Sequence, residues 1–537
     1  MSLPWWKTRT VYQIYPRSFL DSNGDGIGDI NGITKGLDQI KELGAGIVWL
    51  SPLFASPMAD NGYDMADYKS IDPLFGTMAD FDAMMAHAKS LDLKIVLDIA
   101  LNHTSTAHPW FQAARKDTAN PFRDYYHWRD TPNNWQSIFG GPAWSQAESG
   151  GQYYLHLFDK TQADLNWANP AVRTAIHDAL RFWLDRGVDG FRLDVVTIVS
   201  KPAGLPDAPD PRPIALYDML ANGPDLHNWL RDMHQKVFAN YDCVAIGEGP
   251  GLTPARSAAI VNPNDPMLDM IYHFDLVDGH NNAATGEWDR VWFKSVFARW
   301  DTGIGPDGWN SCVLGNHDLR RLVSRFGDDG QYRLESAKAL AGICLLQRAT
   351  PFIYQGDELG MADAVFTTID QLDDVWAKTT YALARQKGSD HDSAFAKAAR
   401  MTRDHARTPY NWTAHGGFTK GTPWLPQTDP SGDNNLFEQR GEPTSVRSFH
   451  QALMALRAAE PDIWVLGTYK DLLPDDPDIY AFMRGENGLV VINLRGRQIN
   501  LPAALINKLQ RYAGHSLVSS GVLNNGSLSP WAIFVFG

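Results

Sequence analysis

Three carboxylates in this chain each close a run of apolar residues: Asp194 in GFRLDVV (190–196), Glu248 in VAIGEG (244–249) and Asp318 in VLGNHD (313–318). An acid at the end of a buried strand sits where the strand meets a loop, so acids from separate strands can converge on one pocket. Two convergent carboxyls are the machinery of glycosidic bond cleavage, one ionised to attack and one protonated to release the leaving group. Arg192 and Asp194 lie two apart, hence on one face of a strand. A guanidinium there lowers the acid's proton affinity and keeps it ionised, as a nucleophile requires. The plain alternative is a structural ion pair. Glu248 has glycine and apolar neighbours and no adjacent cation. That setting raises a carboxyl pKa and suits a general acid; the plain alternative is a cap or loop carboxylate. Asp98 and His103 mark the end of a further run, KIVLDIALNH (94–103), and His317 precedes Asp318. Each histidine alone reads as readily as a structural residue.

Something must hold these endings together. Eight strand-like runs occur in order, at 11–16, 46–53, 94–103, 190–196, 244–249, 270–276, 310–318 and 351–357. Most are continuously apolar, as parallel strands buried on both faces are. Apolar residues at helical spacing lie between them, at 36–43, 78–91 and 170–185. The alternation predicts an α/β chain folded as a (β/α)8 TIM barrel, with its active site at the carboxyl ends of the strands. Residues 1–103 and 170–464 are assigned to that catalytic barrel. Residues 104–169 hold no βα unit and are rich in Trp, Tyr, Phe, Gly and Pro. They are expected to form an irregular inserted domain after strand 3 that covers the active site. The last barrel helix is expected at 446–458. Beyond it, short strand signals at 479–483, 488–493 and 532–537 predict a C-terminal antiparallel β-sandwich over 465–537.

Bulk properties narrow the function. The chain has 537 residues and a formal charge of −14. That charge opposes nucleic acid, anionic membranes and polyanionic substrates, and is compatible with a neutral small oligosaccharide. Nineteen tryptophans suit a large core, and a few would suit sugar faces. Cys243, Cys312 and Cys344 give neither a disulfide framework nor zinc spacing. MSLPWWKTRT lacks the apolar stretch of a signal peptide, and no run is long enough to span a membrane. The expectation is a cytoplasmic protein, a monomer or weak oligomer, with no organic cofactor.

DSNGDGIGD (21–29) places Asp21, Asn23, Asp25 and Asp29 at positions 1, 3, 5 and 9 of a calcium loop, with Gly26 at position 6. The bidentate Glu expected at position 12 is replaced by Gly32. A structural Ca2+ held by these four side chains and the Ile27 carbonyl is the metal expectation; a metal-free Asp/Gly turn is the alternative.

Four of the quoted segments, DIALNHT (98–104), GFRLDVV, IGEG (246–249) and GNHD (315–318), resemble the short motifs of the α-amylase family of glycoside hydrolases. VYQIYPRSFLDSNGDGIGDINGI from residue 11, NGYDMADY (61–68) and RDHARTPYNW (403–412) resemble its oligo-1,6-glucosidase and dextran glucosidase branch. The resemblance implies Asp194 as nucleophile, Glu248 as general acid and then base, and Asp318 as the stabiliser of the distorted sugar. It implies that Arg192 keeps Asp194 ionised, with Asp98 in support. It also implies that His103 and His317 bind the same glucose, that Tyr63 stacks beneath it, and that Asp60 and Arg407 close the pocket around the non-reducing end. Val195, after the nucleophile, resembles enzymes preferring α-1,6 bonds, although valine is also simply a good strand residue. Gly249 and Gly315 depart from larger residues common in the family. The implied activity is exo-acting, retaining α-glucosidase action on isomalto-oligosaccharides. The alternatives are an α-1,4-glucosidase, a sucrose- or trehalose-isomerising or transglucosylating relative, and a binding protein that has lost the acids.

Overall fold

A computed structural model describes residues 3–147, 151–221, 223–276, 288–512 and 515–537. Residues 148–150 of the expected insert lie outside this set. Eight parallel strands close a barrel in sequence order: β1 (Val11–Ile14), β2 (Ile47–Leu50), β3 (Lys94–Ala100), β4 (Gly190–Asp194), β5 (Val244–Gly249), β6 (Met270–His273), β7 (Asn310–Val313) and β8 (Ala349–Tyr354). Seven of the predicted runs contain one of them whole, and the eighth, 351–357, overlaps β8, which starts two residues earlier. Two apolar layers account for the closure. Val11, Ile47, Val96, Ile246, Met270 and Phe352 pack together inside the barrel, as the filled interior of this fold requires. The opposite faces of the strands bury against helices, among them Ile30–Leu43, Met78–Ser90 and Pro170–Asp185. Side-chain oxygens start these helices: Asp29 accepts from the Gly32 amide, and Thr77 forms a capping box with Asp80.

The segment after β3 returns to the barrel through an antiparallel pair, His103–Ser105 with Gln162–Asp164. Between them stand the helix Pro109–Lys116 and a three-stranded sheet of Trp128–Arg129, Tyr153–Leu155 and Trp144–Gln146. Most of its aromatic residues are core, Trp135, Trp144 and Phe111 being buried. A second outgrowth has no counterpart in the sequence reading. After β8 the chain forms a helical pair, Val375–Gln386 against His391–Met401, which also reaches the strand ends. The helix Val446–Ala459 leads to a five-stranded antiparallel sheet with a smaller three-stranded one. Arg457 and Arg484 are buried at that junction without a carboxylate partner among their recorded ion pairs and hydrogen bonds. They donate to main-chain carbonyls, Arg457 to Leu345, Gln347 and Trp464, Arg484 to Leu346, Val465 and Gly467.

Candidate active site

Strand register builds the site. Arg192 on β4 lies opposite Asp98 on β3 and opposite Ile246 on β5, so Glu248, two residues on, shares its face. Glu248 in turn lies opposite Tyr272 on β6. The fully buried Arg192 is the hub. Its Nη1 donates to Asp98 Oδ1 at 2.8 Å and Asp194 Oδ1 at 2.6 Å, and its Nη2 lies 2.6 Å from both Glu248 Oε1 and the Tyr272 hydroxyl. Trp49, Tyr63 and Tyr272 surround the guanidinium at 5.3–5.7 Å, a favourable setting for a desolvated cation.

One guanidinium cannot fully compensate three buried carboxyls. Burial raises Asp194 to about 6 against the opposing pull of Arg192, and raises Asp98 to about 6 likewise. Glu248 is pushed up further, to about 7, by burial, with Arg192 again opposing. Arg192 lowers the Asp194 pKa as expected, but its charge is shared and desolvation outweighs it, so the net shift is upward. Asp194 still loses its proton before Glu248. Asp318 differs. It is held well below the usual carboxylate range although burial opposes this, because His317, Arg403 and Arg407 face it. The Asn316 side chain accepts from the Asp318 amide at 2.9 Å, a local turn that presents the acid.

Asp194, Glu248 and Asp318 line one cleft of about 230 Å³ together with Asp60, Tyr63, His103 and Val195. The remaining predicted residues stand behind it. Asp98 accepts from Tyr63 at 2.7 Å and Trp49 at 3.0 Å, and His317 stacks under Tyr63 at 5.2 Å and 6°. Gln13 donates to His317 Nδ1 at 2.8 Å, which assigns the proton to Nε2, facing Tyr63 and Asp318. Arg407 is fully buried and reaches Asp318, not Asp60. The residue paired with Asp60 is Arg403, at 2.8 Å, which also holds Asp318 and Asp374. The pocket-closing role expected of Arg407 thus passes to Arg403, four residues earlier in the same motif. This ion-pair belt joins the loops following β2, β7 and β8 across one side of the cleft.

Sequence reasoning also missed Tyr272, Gln162, Phe139 and Trp376. Gln162 bridges Asp60 at 3.1 Å and His103 at 3.2 Å, while Phe139 from the insert and Trp376 from the helical pair form the facing wall. The aromatic content of the insert signalled the wall without singling out a residue. Val195 is not a strand residue: its φ of 39° is left-handed, an outlier for a β-branched side chain. That turn aims its amide at Glu248 Oε2, 2.8 Å away. Lys201 is a further unpredicted element. Its buried ammonium bridges Asp164 of the insert, at 2.7 Å, and Asn102 at the end of β3.

The 21–29 loop has the chemistry of a hard-cation site. Asp21, Asn23 and Asp25 each accept from the amide two residues on, winding the loop in successive turns. Asp29 accepts from Ser22 and Gly32. Its donors are all oxygens, as Ca2+ prefers. Among the described residues no three His, Cys, Asp or Glu side chains close into a metal cluster. A cation there would be held by Asp21, Asp25 and Asp29 with Asn23 and the Ile27 carbonyl, and would brace the loop.

The catalytic-domain model of the α-amylase family matches residues 13–466. The chain is 45% identical over 516 residues to an oligo-1,6-glucosidase of Halalkalibacterium halodurans, covering 93% of this chain and 91% of that one. It is 42% identical over 560 residues to the oligo-1,6-glucosidase of Parageobacillus thermoglucosidasius, covering 100% and 99%. Among solved structures, the trehalulose synthase MutB of Pseudomonas mesoacidophila superposes with a TM-score of 0.92 at 39% identity, each chain being covered completely. With the barrel, the acids at its strand ends and these matches in place, the chain belongs to the α-amylase family of glycoside hydrolases.

Proposed function

We propose that the protein is an exo-acting, retaining α-glucosidase that releases glucose from the non-reducing ends of short isomalto-oligosaccharides. The observation that carries this reading is the shared guanidinium: Arg192 holds Asp194 and Glu248 side by side in one cleft, with Asp194 the first to ionise. In the middle of the interval between their two pKa values, about 6 and about 7, the first acid is mostly ionised and the second mostly protonated, the state that double displacement requires. Asp194 attacks the anomeric carbon while Glu248 gives its proton to the departing oxygen. Glu248, now a carboxylate, takes a proton from water, which attacks the same carbon and frees Asp194. Two inversions retain configuration. Asp318 stays ionised to face the positive charge that develops on the ring. The Asp60–Arg403–Asp318 belt bars a threaded chain on one side, which supports action from chain ends.

The α-1,6 preference is supported by the oligo-1,6-glucosidase relatives and by Val195 at the cleft wall. Ca2+ in the 21–29 loop is supported by its oxygen donors. A reducing, cytoplasmic setting is supported by three free cysteines. The second reading, sugar isomerisation, is favoured by the TM-score of 0.92 to a trehalulose synthase. Initial rates on isomaltose, panose, maltose, trehalose and sucrose test both. Isomaltose and panose should be the fastest. Faster maltose turnover defeats the linkage assignment, and sucrose consumed without matching glucose release favours isomerisation.

A further inference from the structure

We propose that Tyr272 is a positioning residue for Glu248, and that its hydroxyl decides which oxygen of that carboxyl carries the transferable proton. The inference rests on the general-acid role proposed above. Tyr272 faces Glu248 directly across the β5–β6 register, its oxygen 2.6 Å from Glu248 Oε1. Its ring is 1% exposed and lies over Phe274 at 6.2 Å and 10°, so the hydroxyl has a fixed origin. Arg192 Nη2 donates to the Tyr272 oxygen at 2.6 Å. A guanidinium only donates, so the phenol's own hydrogen is turned toward Glu248. Burial also raises the Tyr272 phenol well above its ordinary range, which keeps that hydrogen in place.

The consequence follows from counting lone pairs. Oε1 of Glu248 faces two donors, Tyr272 and Arg192. An oxygen that already accepts the Tyr272 hydrogen and lies against the Arg192 cation is the poorer seat for a hydrogen of its own. The proton of neutral Glu248 therefore sits on Oε2. There the Val195 amide, 2.8 Å away, engages one remaining direction, and the O–H is left the side that Asp194 and the cleft occupy. The left-handed turn at Val195, which costs on the order of 1–2 kcal/mol in an L-residue, is what brings that amide to bear. When Glu248 gives its proton to the glycosidic oxygen and the bond to the leaving sugar breaks, the carboxylate formed is met by donors on both oxygens.

Tyr272→Phe tests this, since phenylalanine keeps the ring and its packing while deleting the one donor. For isomaltose, whose leaving group needs protonation, kcat/KM should fall roughly 10- to 100-fold, part of the 10²–10⁴ that general acid catalysis supplies. For a dinitrophenyl α-glucoside, whose leaving group departs without a proton, it should change by less than about 3-fold by the same reasoning. Losing a donor to the anion raises the acid's pKa, so the alkaline limb of kcat/KM for isomaltose should move to higher pH. Equal losses on both substrates, or an unmoved alkaline limb, overturn the proposal, as does full activity on isomaltose. Glu248→Gln run in parallel separates the two levels. If it spares isomaltose cleavage, the acid assignment fails. If it abolishes that cleavage and spares kcat/KM for the activated glucoside, which reads the first step alone, the assignment stands and only the Tyr272 role is at issue.

Discussion

Replacing Asp194 by Asn should make the protein more stable at neutral pH, by an amount that vanishes in acid. In the folded chain burial lifts Asp194 from 3.8 to about 6, and its side chain is only 11% exposed. A carboxyl whose folded pKa is raised favours folding while protonated and loses that benefit as pH rises through the folded value. Holding it ionised in the fold therefore costs about 3 kcal/mol above pH 7 and almost nothing below about pH 3. Asn mimics the protonated acid: it keeps one oxygen for Arg192 and carries no charge. The variant's advantage over the parent should thus grow by about 2–3 kcal/mol between pH 4 and pH 8, a rise on the order of 2–3 °C in Tm for a chain of this size. Intrinsic tryptophan fluorescence, with nineteen tryptophans to report, can follow thermal unfolding of both proteins at a fixed scan rate across that range. An offset independent of pH would refute the reasoning, because it would mean that the carboxyl titrates alike in the folded and unfolded chain. A variant less stable at pH 8 than at pH 4 relative to the parent would show that Arg192 outweighs desolvation after all.

Arg403→Ala removes the partner of Asp60, Asp318 and Asp374 together; we expect kcat/KM for isomaltose to fall by at least about 100-fold, since groups that fix substrate geometry carry that much, while a loss under about 5-fold would remove it from the pocket-closing role. Lys201→Met leaves the buried Asp164 carboxylate without its cation, a loss of about 3–5 kcal/mol, and limited proteolysis should then cut first within residues 104–169; an unchanged pattern would show that the bridge does not hold the insert. Removing divalent cations with a chelator should lower the Tm, and added Ca2+ should restore it, in the parent but not in Asp25→Ala; equal responses of the two proteins would move the ion away from the 21–29 loop.

The barrel was legible because most of its strands are continuous apolar runs, and the acids were legible because each stands at or shortly after the end of one of them. What escaped the sequence is what long-range contact decides. Tyr272 meets Arg192 from 80 residues away and Arg403 meets Asp60 from 343; nothing local marks either partner. Arg403 and Arg407 flank one short helix, Asp404–Arg407, and spacing alone cannot tell which turns to the cleft. Val195 carries the composition of a strand and the backbone of a turn, a conflict that the surrounding fold imposes. The net shift of Asp194 was not legible because the arginine two residues away, which does lower its pKa, was visible, and the burial that outweighs it was not. The helical pair after β8 was overlooked because its apolar face is short and its signal lies beyond the last strand.

The junction between barrel and C-terminal sheet has a bearing on how the molecule fails. Arg457 and Arg484 are solvated there by the oxygen ends of peptide groups, which neither gain protons in mild acid nor attract counter-ions in brine. The ion-pair belt around the cleft is buried too, hence weakly screened by salt, and Asp318 within it stays ionised in mild acid. Mild acid should therefore disarm the cleft by protonating Asp194, raised to about 6, in an otherwise intact molecule, so that loss of activity precedes separation of its parts and is reversed by return to neutral pH.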